Sequence, residues 1–414
     1  MLFSAIPVEL IEHVCSFVDP VDLASLNLTN KALYGLIEES EDKHLWKCIF
    51  LTLFDHPKYA VAQIALEQPS HGGSEKDKFV YNWRTALKRR FRAGKILAAF
   101  SRVDRTERIF ALRTLCDIVL SSPPHTPKMV HSNSAQFVQD LLQQHPLPAF
   151  NKWPEHATAE ELELKSWLRA NAAVPPAEAD AFNADFDRLT ARATIYDLDN
   201  HRRHAHFGPF TANLNISWIY IDAIVQLALH NVKQDMPAAF DLYPPNSFQN
   251  SRRFSSKDYH RRRPHDWAGI DGVWTRLVCF CDYRDLITYN HSAEREDGPL
   301  NPSVFKQTDF REAVRFIRVE MKVERTSYNS ENPKYPRLHV IGRSSQIGGT
   351  ESYGRLQGDV WLTTNGVVRW QFLTNIGSNP QWRSEAVQVG GIGSGIGVAG
   401  LWTGVDHRED DPVG

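Results

Sequence analysis

Ile6-Pro7-Val8-Glu9-Leu10-Ile11-Glu12-His13-Val14-Cys15-Ser16-Phe17-Val18-Asp19-Pro20-Val21-Asp22-Leu23 decides how this 414-residue chain is read. Pro7 suits the first position of a helix, where a missing amide donor leaves nothing unsatisfied. Behind it Leu10, Ile11, Val14, Phe17 and Val18 recur at the spacing of one helical face, with Glu9, Glu12 and His13 opposite. Asp19-Pro20 ends that helix and opens another carrying Leu23 and Leu26. Thr29 is placed to cap a third with Leu33, Leu36 and Ile37, and Leu45-Trp46 closes the unit.

Three short helices hold more apolar surface than they can hide by themselves. Domains of about 40 to 50 residues rarely build a sufficient core unaided, and this one has only Cys15 and Cys48 and no metal-ligand set to staple it. Something must cover the remainder, either the rest of the chain or a partner protein.

The residues carry a resemblance. Ile6-Pro7-x-Glu9-Leu10-Ile11, Phe17-Val18-Asp19-Pro20-x-Asp22-Leu23, Leu28-Thr29-Asn30-Lys31 and Leu45-Trp46 together resemble an F-box domain, with Ile6 in place of the usual leucine and a polar third segment. That resemblance implies a non-catalytic substrate receptor of an SCF-type ubiquitin ligase, without a cofactor. Pro7, Leu10, Ile11, Val14, Leu23, Leu26, Leu33 and Trp46 would build or support the surface that docks the Skp-type linker of a cullin-RING ligase, while residues beyond Asn82 choose a protein substrate.

Outside this unit, composition narrows the classes. A net charge of −2 gives no global field toward nucleic acid or membrane. Five scattered cysteines (Cys15, Cys48, Cys116, Cys279, Cys281) fit a reducing compartment rather than a disulfide framework. With no leader-like N-terminus and no long apolar run, an intracellular protein of cytoplasm or nucleus is expected.

The expected class is α+β: an F-box over 1–54, a helical region over 55–234, a basic irregular loop over 235–266 and an antiparallel β domain over 267–414. In the helical part, 79–100 places Trp83, Leu87, Phe91 and Leu97 on one face and Arg84, Lys88, Arg89, Arg90, Arg92 and Lys95 on the other. That basic face is either a solvated one answering acidic neighbours or an RNA or lipid contact. Residues 105–120 and 136–144 read as further helices. Thr158-Ala159-Glu160-Glu161 is a capping box.

Arg192-Ala193-Thr194-Ile195-Tyr196-Asp197-Leu198, Phe207-Gly208-Pro209-Phe210 and Asn215-Ile216-Ser217-Trp218 are similar to the pattern of a group of fungal F-box proteins, and physically they read as core. The cluster His201, His204 and His206 sits beside Arg202 and Arg203, whose charge repels a cation, so no metal is assigned there. In 235–266, Arg252, Arg253, Arg261, Arg262 and Arg263 form either a recognition loop for an acidic or phosphorylated substrate segment or part of a flexible linker.

Strands are expected over 272–289, 313–326, 337–342, 353–363, 367–375 and 385–390, with Asn365-Gly366 as a type I′ hairpin turn. Six to eight antiparallel strands predict a closed small barrel rather than a sandwich. Gly272-Val273-Trp274-Thr275 and Gly400-Leu401-Trp402-Thr403 are similar to the Gly-x-Trp element of lipocalin-like barrels, and they place two indoles at a shared barrel floor. The second, with His407 and Asp411-Pro412, also resembles the endings of the same fungal group.

Gly395, Gly397 and Gly400 spell a literal dinucleotide fingerprint. Too little chain follows for the helix and second strand that motif needs, so the glycines are read as a bulge or tight strand crossing. No motif of catalysis stands in a recognisable setting. Besides the ligase receptor, one alternative is a barrel that binds a small ligand, its F-box serving a non-ligase assembly.

Overall fold

A computed structural model describes residues 6–39, 44–59, 81–147, 157–172, 181–202, 206–235, 247–257, 259–291, 301–307, 310, 312–347, 352–377, 379–408 and 411–414. They fall into two compact units, one drawn from Met1–Leu66, Ser70–Pro123 and His131–Pro146, the other from Pro124–Val130 and Leu147–Gly414.

The first unit is helical: α1 (Val8–Cys15), α2 (Pro20–Leu26), α3 (Lys31–Tyr34) running into a π-turn (Gly35–Glu39), α4 (His44–Leu53), α5 (Trp83–Ala98), α6 (Arg105–Leu120) and α7 (Asn133–Gln144). Two caps differ from the sequence reading. Pro7 lies just outside α1, and the third helix is capped by Asn30, whose side chain accepts the Ala32 amide, not by Thr29, whose hydroxyl donates to the Leu26 carbonyl. Asp19 caps α2 with Pro20 at its first position.

Cys15, Leu23, Leu33, Ile37, Leu45, Ile49, Phe50 and Phe54 share one core with Trp83 and Leu87 of α5, against which Phe137 of α7 packs. Phe50 anchors it, with Trp83 at 5.3 Å and Tyr81 at 5.5 Å in edge-to-face contact. Arg90 is buried over the rings of Phe50 and Phe54, and desolvation lowers its pKa to about 10. Asp55 fixes α7 by accepting the Ser132 hydroxyl at 2.6 Å and the Ser134 amide at 3.0 Å, a carboxylate at a helix N-terminus.

The second unit carries α8 (Ala159–Ala172), α9 (Ala181–Ile195), α10 (Trp218–Asp235), short α11 (Phe248–Ser251) and α12 (Tyr283–His291) around a seven-stranded antiparallel sheet. Its strands are β1 (Gly272–Cys281), β2 (Glu312–Ser327), β3 (Arg337–Gln346), β4 (Ser352–Leu362), β5 (Val368–Ile376), β6 (Asn379–Val389) and β7 (Gly397–Gly404), paired in sequence order. The capping box forms: the Thr158 amide donates to Glu161 Oε2 and the Glu161 amide to Thr158 Oγ1.

The architecture is α+β, but the sheet curls into a half-barrel, and among the described residues β1 and β7 do not pair with each other. Three strand expectations change. The first strand stops at Cys281, because Asp282 accepts the Arg284 amide and starts α12 where a strand to 289 was expected. A seventh strand, β7, forms across the glycines, where Gly400 gives β6 room to approach. The 363–367 turn is a type I turn followed by a glycine bulge rather than type I′: the Gly366 amide donates to the Thr363 carbonyl, and of the central pair and Gly366 only Gly366 has positive φ, at 79°.

The concave face holds Val319, Met321, Val323, Leu338, Val340, Leu356, Val360, Leu362, Val368, Trp370 and Phe372, and one end is plugged by Trp267, Ala268 and Ile270. The convex face of β6 and β7 is covered by helices, with Val387, Val389 and Ala399 against Ala170, Ile221 and Val225. Trp274 and Trp402 do not share a floor. The first stands 5.5 Å from Trp370 in the central core, whereas the second meets Phe280 at 5.8 Å and Trp382 at 5.1 Å.

Candidate partner-docking surface on the N-terminal helices

Helix α1 carries two apolar stripes, and the fold uses only one. Ile11, Cys15 and Val18 turn toward the core of the unit. Leu10, Val14 and Phe17, one helical turn apart on the other stripe, remain 55, 64 and 75 % exposed. Val8 of α1, Val21 of α2, Leu28 at 82 % in the turn that follows it and Tyr34 of α3 are exposed as well. Fully burying each such side chain is worth about 1.5–3 kcal/mol, so leaving them in water is a sizeable deficit for so small a unit.

The eight residues singled out from the sequence therefore divide. Pro7, Leu10 and Val14 are exposed; Ile11, Leu26 and Trp46 are half-buried; Leu23 and Leu33 are interior and support the surface from behind. Trp46 is held by its indole N–H on the Ile37 carbonyl at 2.9 Å, and the cations of Arg84 and Lys88 stand 5.7 and 5.6 Å from its ring. Phe17, Val21 and Leu28 belong to the exposed surface but were not among the eight. Phe17 was readable from its i, i+7 relation to Leu10, whereas Leu28 sits in a turn where periodicity gives no signal.

The basic face of α5 answers acidic neighbours. Arg84 and Lys88 both reach Glu38, Arg89 pairs with Asp117 at 2.6 Å, and Arg92 pairs with Glu107. Glu38 also accepts Asn27 Nδ2 at 3.0 Å, so this cluster ties the π-turn to α5 and α2.

The five arginines proposed as a recognition loop do not form one surface. Arg252 is buried and donates to the carbonyls of Val130 at 2.9 Å, Met129 at 2.8 Å and Pro124 at 3.2 Å, and to Gln249 Oε1 at 2.8 Å. Arg262 lies 3.8 Å over the Tyr259 ring, and Arg263 stands 3.5 Å from Asp271. Arg253 is half-buried and gives its carbonyl to the His125 amide; Arg261 is exposed. Nor are the described residues of 247–266 a structureless linker. The Phe254 amide donates to Ile392 and that of Ser256 to Gly393, while Phe248 and Tyr259 are interior. Residues 236–246 and 258 of the expected loop lie outside the described residues.

The segment 192–218 buttresses the second unit. Arg192 at 2.7 Å and the Tyr196 hydroxyl at 2.6 Å converge on the Glu312 carboxylate of β2, and burial followed by that carboxylate pushes the Tyr196 phenol up. His201 is buried with Nε2 3.0 Å from the Ile195 carbonyl, and desolvation lowers its pKa to about 4. His206 contacts the Ala212 carbonyl, and His204 lies outside the described residues. Among the described residues no cluster of three or more His, Cys, Asp or Glu is placed to hold a metal.

One constellation has the connectivity of an acyl-transfer triad: Ser327 Oγ is 2.7 Å from His339 Nε2, and His339 Nδ1 is 2.6 Å from Asp359 Oδ1. Such chemistry also needs convergent backbone donors at the nucleophile. In the loop after Ser327, the Glu331 amide goes to Asn329 Oδ1, and Asn329 Nδ2 to the Tyr335 and Leu362 carbonyls. Arg337 holds the other Asp359 oxygen at 3.3 Å. The network locks β2, β3 and β4 together.

Comparison with known proteins agrees with the N-terminal geometry: residues 3–52 match the F-box-like family model, and the chain contains an F-box-like domain. Domains of this kind typically bind Skp-type linkers and are generally non-catalytic adaptors. No curated protein and no solved structure matches the chain. Among the described residues no helix is long and apolar enough to cross a membrane.

Proposed function

We propose that this chain, with its F-box-like domain, is an adaptor that docks the Skp-type linker of a cullin-RING ubiquitin ligase and presents a protein substrate through its second unit. The carrying observation is the second apolar stripe of α1, Leu10, Val14 and Phe17, left in water by a unit whose own core is already complete with Trp83 and Leu87. Linker helices covering that stripe supply the missing burial. The adaptor performs no bond chemistry; it raises the effective concentration of a target lysine beside a charged ubiquitin carrier. Of the arginines considered for substrate contact, Arg261 and Arg263 are exposed enough to meet an acidic segment, whereas Arg252 serves the interior.

The test is co-expression of the full chain with a Skp-type linker. Leu10→Asp with Val14→Asp places two charges in the proposed interface without touching the core. Loss of linker co-purification with an unchanged melting temperature is expected; retention of the linker at the wild-type level would remove the proposal.

A further inference from the structure

Arg276, on the concave face of β1, is the anomaly of the second unit. Protein surrounds it, yet solvent still reaches part of the side chain, which places it within a recess rather than in a sealed core. Its guanidinium has one hydrogen bond, from Nη2 to the Ser384 hydroxyl across the sheet at 3.1 Å, and among the described residues no carboxylate pairs with it. Other interior arginines of this unit have charged or multiple partners: Arg192 meets Glu312, Arg369 meets Glu385, and Arg252 donates to backbone carbonyls. Among the described residues its remaining donors have no protein acceptor and are left to solvent, where an anion can pair with them. Desolvation accordingly lowers the pKa of Arg276, with no charged neighbour contributing.

Aromatic and hydroxyl groups lie on the same face. Strand pairing puts Trp402 and Phe372 beside Ser384 on the same face, and Trp382 precedes it by two residues. Trp382 and Phe280 enclose the Trp402 indole edge-on. Thr374, opposite Trp382, keeps a buried hydroxyl without a hydrogen-bond partner among the described residues. Arg315, diagonal to Arg276 on β2, is exposed and lies 5.3 Å from the Phe280 ring, a second positive charge at the rim. Asp411, packed over Gly404 on this face, is turned to the Arg408 amide at 2.8 Å.

We propose that this recess binds a small amphipathic organic carboxylate, its carboxylate against the Arg276 guanidinium and its apolar body along Phe280, Trp382 and Trp402. Arg pairs with carboxylates through two parallel N–H donors, and the aromatic walls supply the apolar burial that such pockets share. The plugged end of the half-barrel, around Trp267 and Ile270, limits the ligand to the Arg276 end. The site is independent of linker docking, since it uses none of the F-box residues.

Calorimetric titration of the full chain with decanoate, and separately with decanol, tests it. Wild type should take up decanoate saturably and at least about tenfold more tightly than decanol. Arg276→Met should erase that preference, and Arg276→Lys should keep part of it. Decanoate should raise the melting temperature of wild type and not of Arg276→Met. The unliganded Arg276→Met protein should melt at or above wild type, because it loses an unpaired charge. Three results would overturn the site: no saturable uptake of decanoate by wild type, an undiminished preference in Arg276→Met, or a variant that melts well below wild type or fails to fold, which would make Arg276 a structural residue.

Discussion

The stripe 10–17 and the segment 247–266 are opposites. The first has clean helical periodicity, is built from Leu, Val and Phe, and stands in water. The second has no periodicity, is rich in Arg, Ser and His, and sends Phe248, Arg252, Tyr259 and Asp266 into the interior. Apolar pattern therefore reports which side chains want cover, but not whether their own chain provides it. Polar composition likewise fails to mark a surface when backbone carbonyls elsewhere need donors. Arg252 shows why: Pro124, Met129 and Val130 present carbonyls from a connecting loop, and one guanidinium donates to all three.

This contrast breaks if the exposed stripe proves structural or the buried arginine proves dispensable. The largest expected effect is on the stripe: Leu10→Asp with Val14→Asp should weaken linker binding by on the order of 4 kcal/mol or more, read by calorimetry, with under about 0.5 kcal/mol change in urea stability. Next, Arg252→Met should destabilise the second unit by about 3 kcal/mol in urea unfolding, since the carbonyls of Pro124, Met129 and Val130 and the Gln249 side chain each lose a hydrogen bond. Arg261→Ala, a few residues away but exposed, should change it by less than about 0.5 kcal/mol.

His201 gives a pH-dependent version of the same test. Its folded pKa of about 4 lies below the usual histidine value, so the unfolded chain binds the extra proton between these two limits. Stability of the second unit is expected to be full above pH 6.5 and to fall by up to about 3 kcal/mol as pH drops toward 4, and His201→Gln should flatten that slope. The smallest effect sharpens the first unit: Asp104→Ala, removing the acceptor of the Glu107 amide that caps α6, should cost about 1 kcal/mol.

Much of the α-helical part was readable, because caps and 3.6-residue spacing are local: the capping box at Thr158 and Glu161 and the helix over 105–120 are where the pattern puts them. The sheet was readable as strands but not as a shape. Whether seven strands close depends on twist accumulated over pairings far apart in sequence, and the residues that fill the plugged end come from a stretch with no strand signal. The type I turn at 363–366 was missed because Asn-Gly fits both turn types, and only the flanking strand register selects between them.

By itself the sequence determined the F-box-like helices, the α+β order and the surplus of apolar side chains near the N-terminus, all of which follow from short-range spacing and composition. Tertiary structure decided which half of that surplus remains in water, which arginines become interior struts, and that Arg276 stands across from Ser384 without a carboxylate. Those outcomes depend on partners up to more than a hundred residues away, and no local pattern encodes which distant group will be there to meet a charge or cover a methyl.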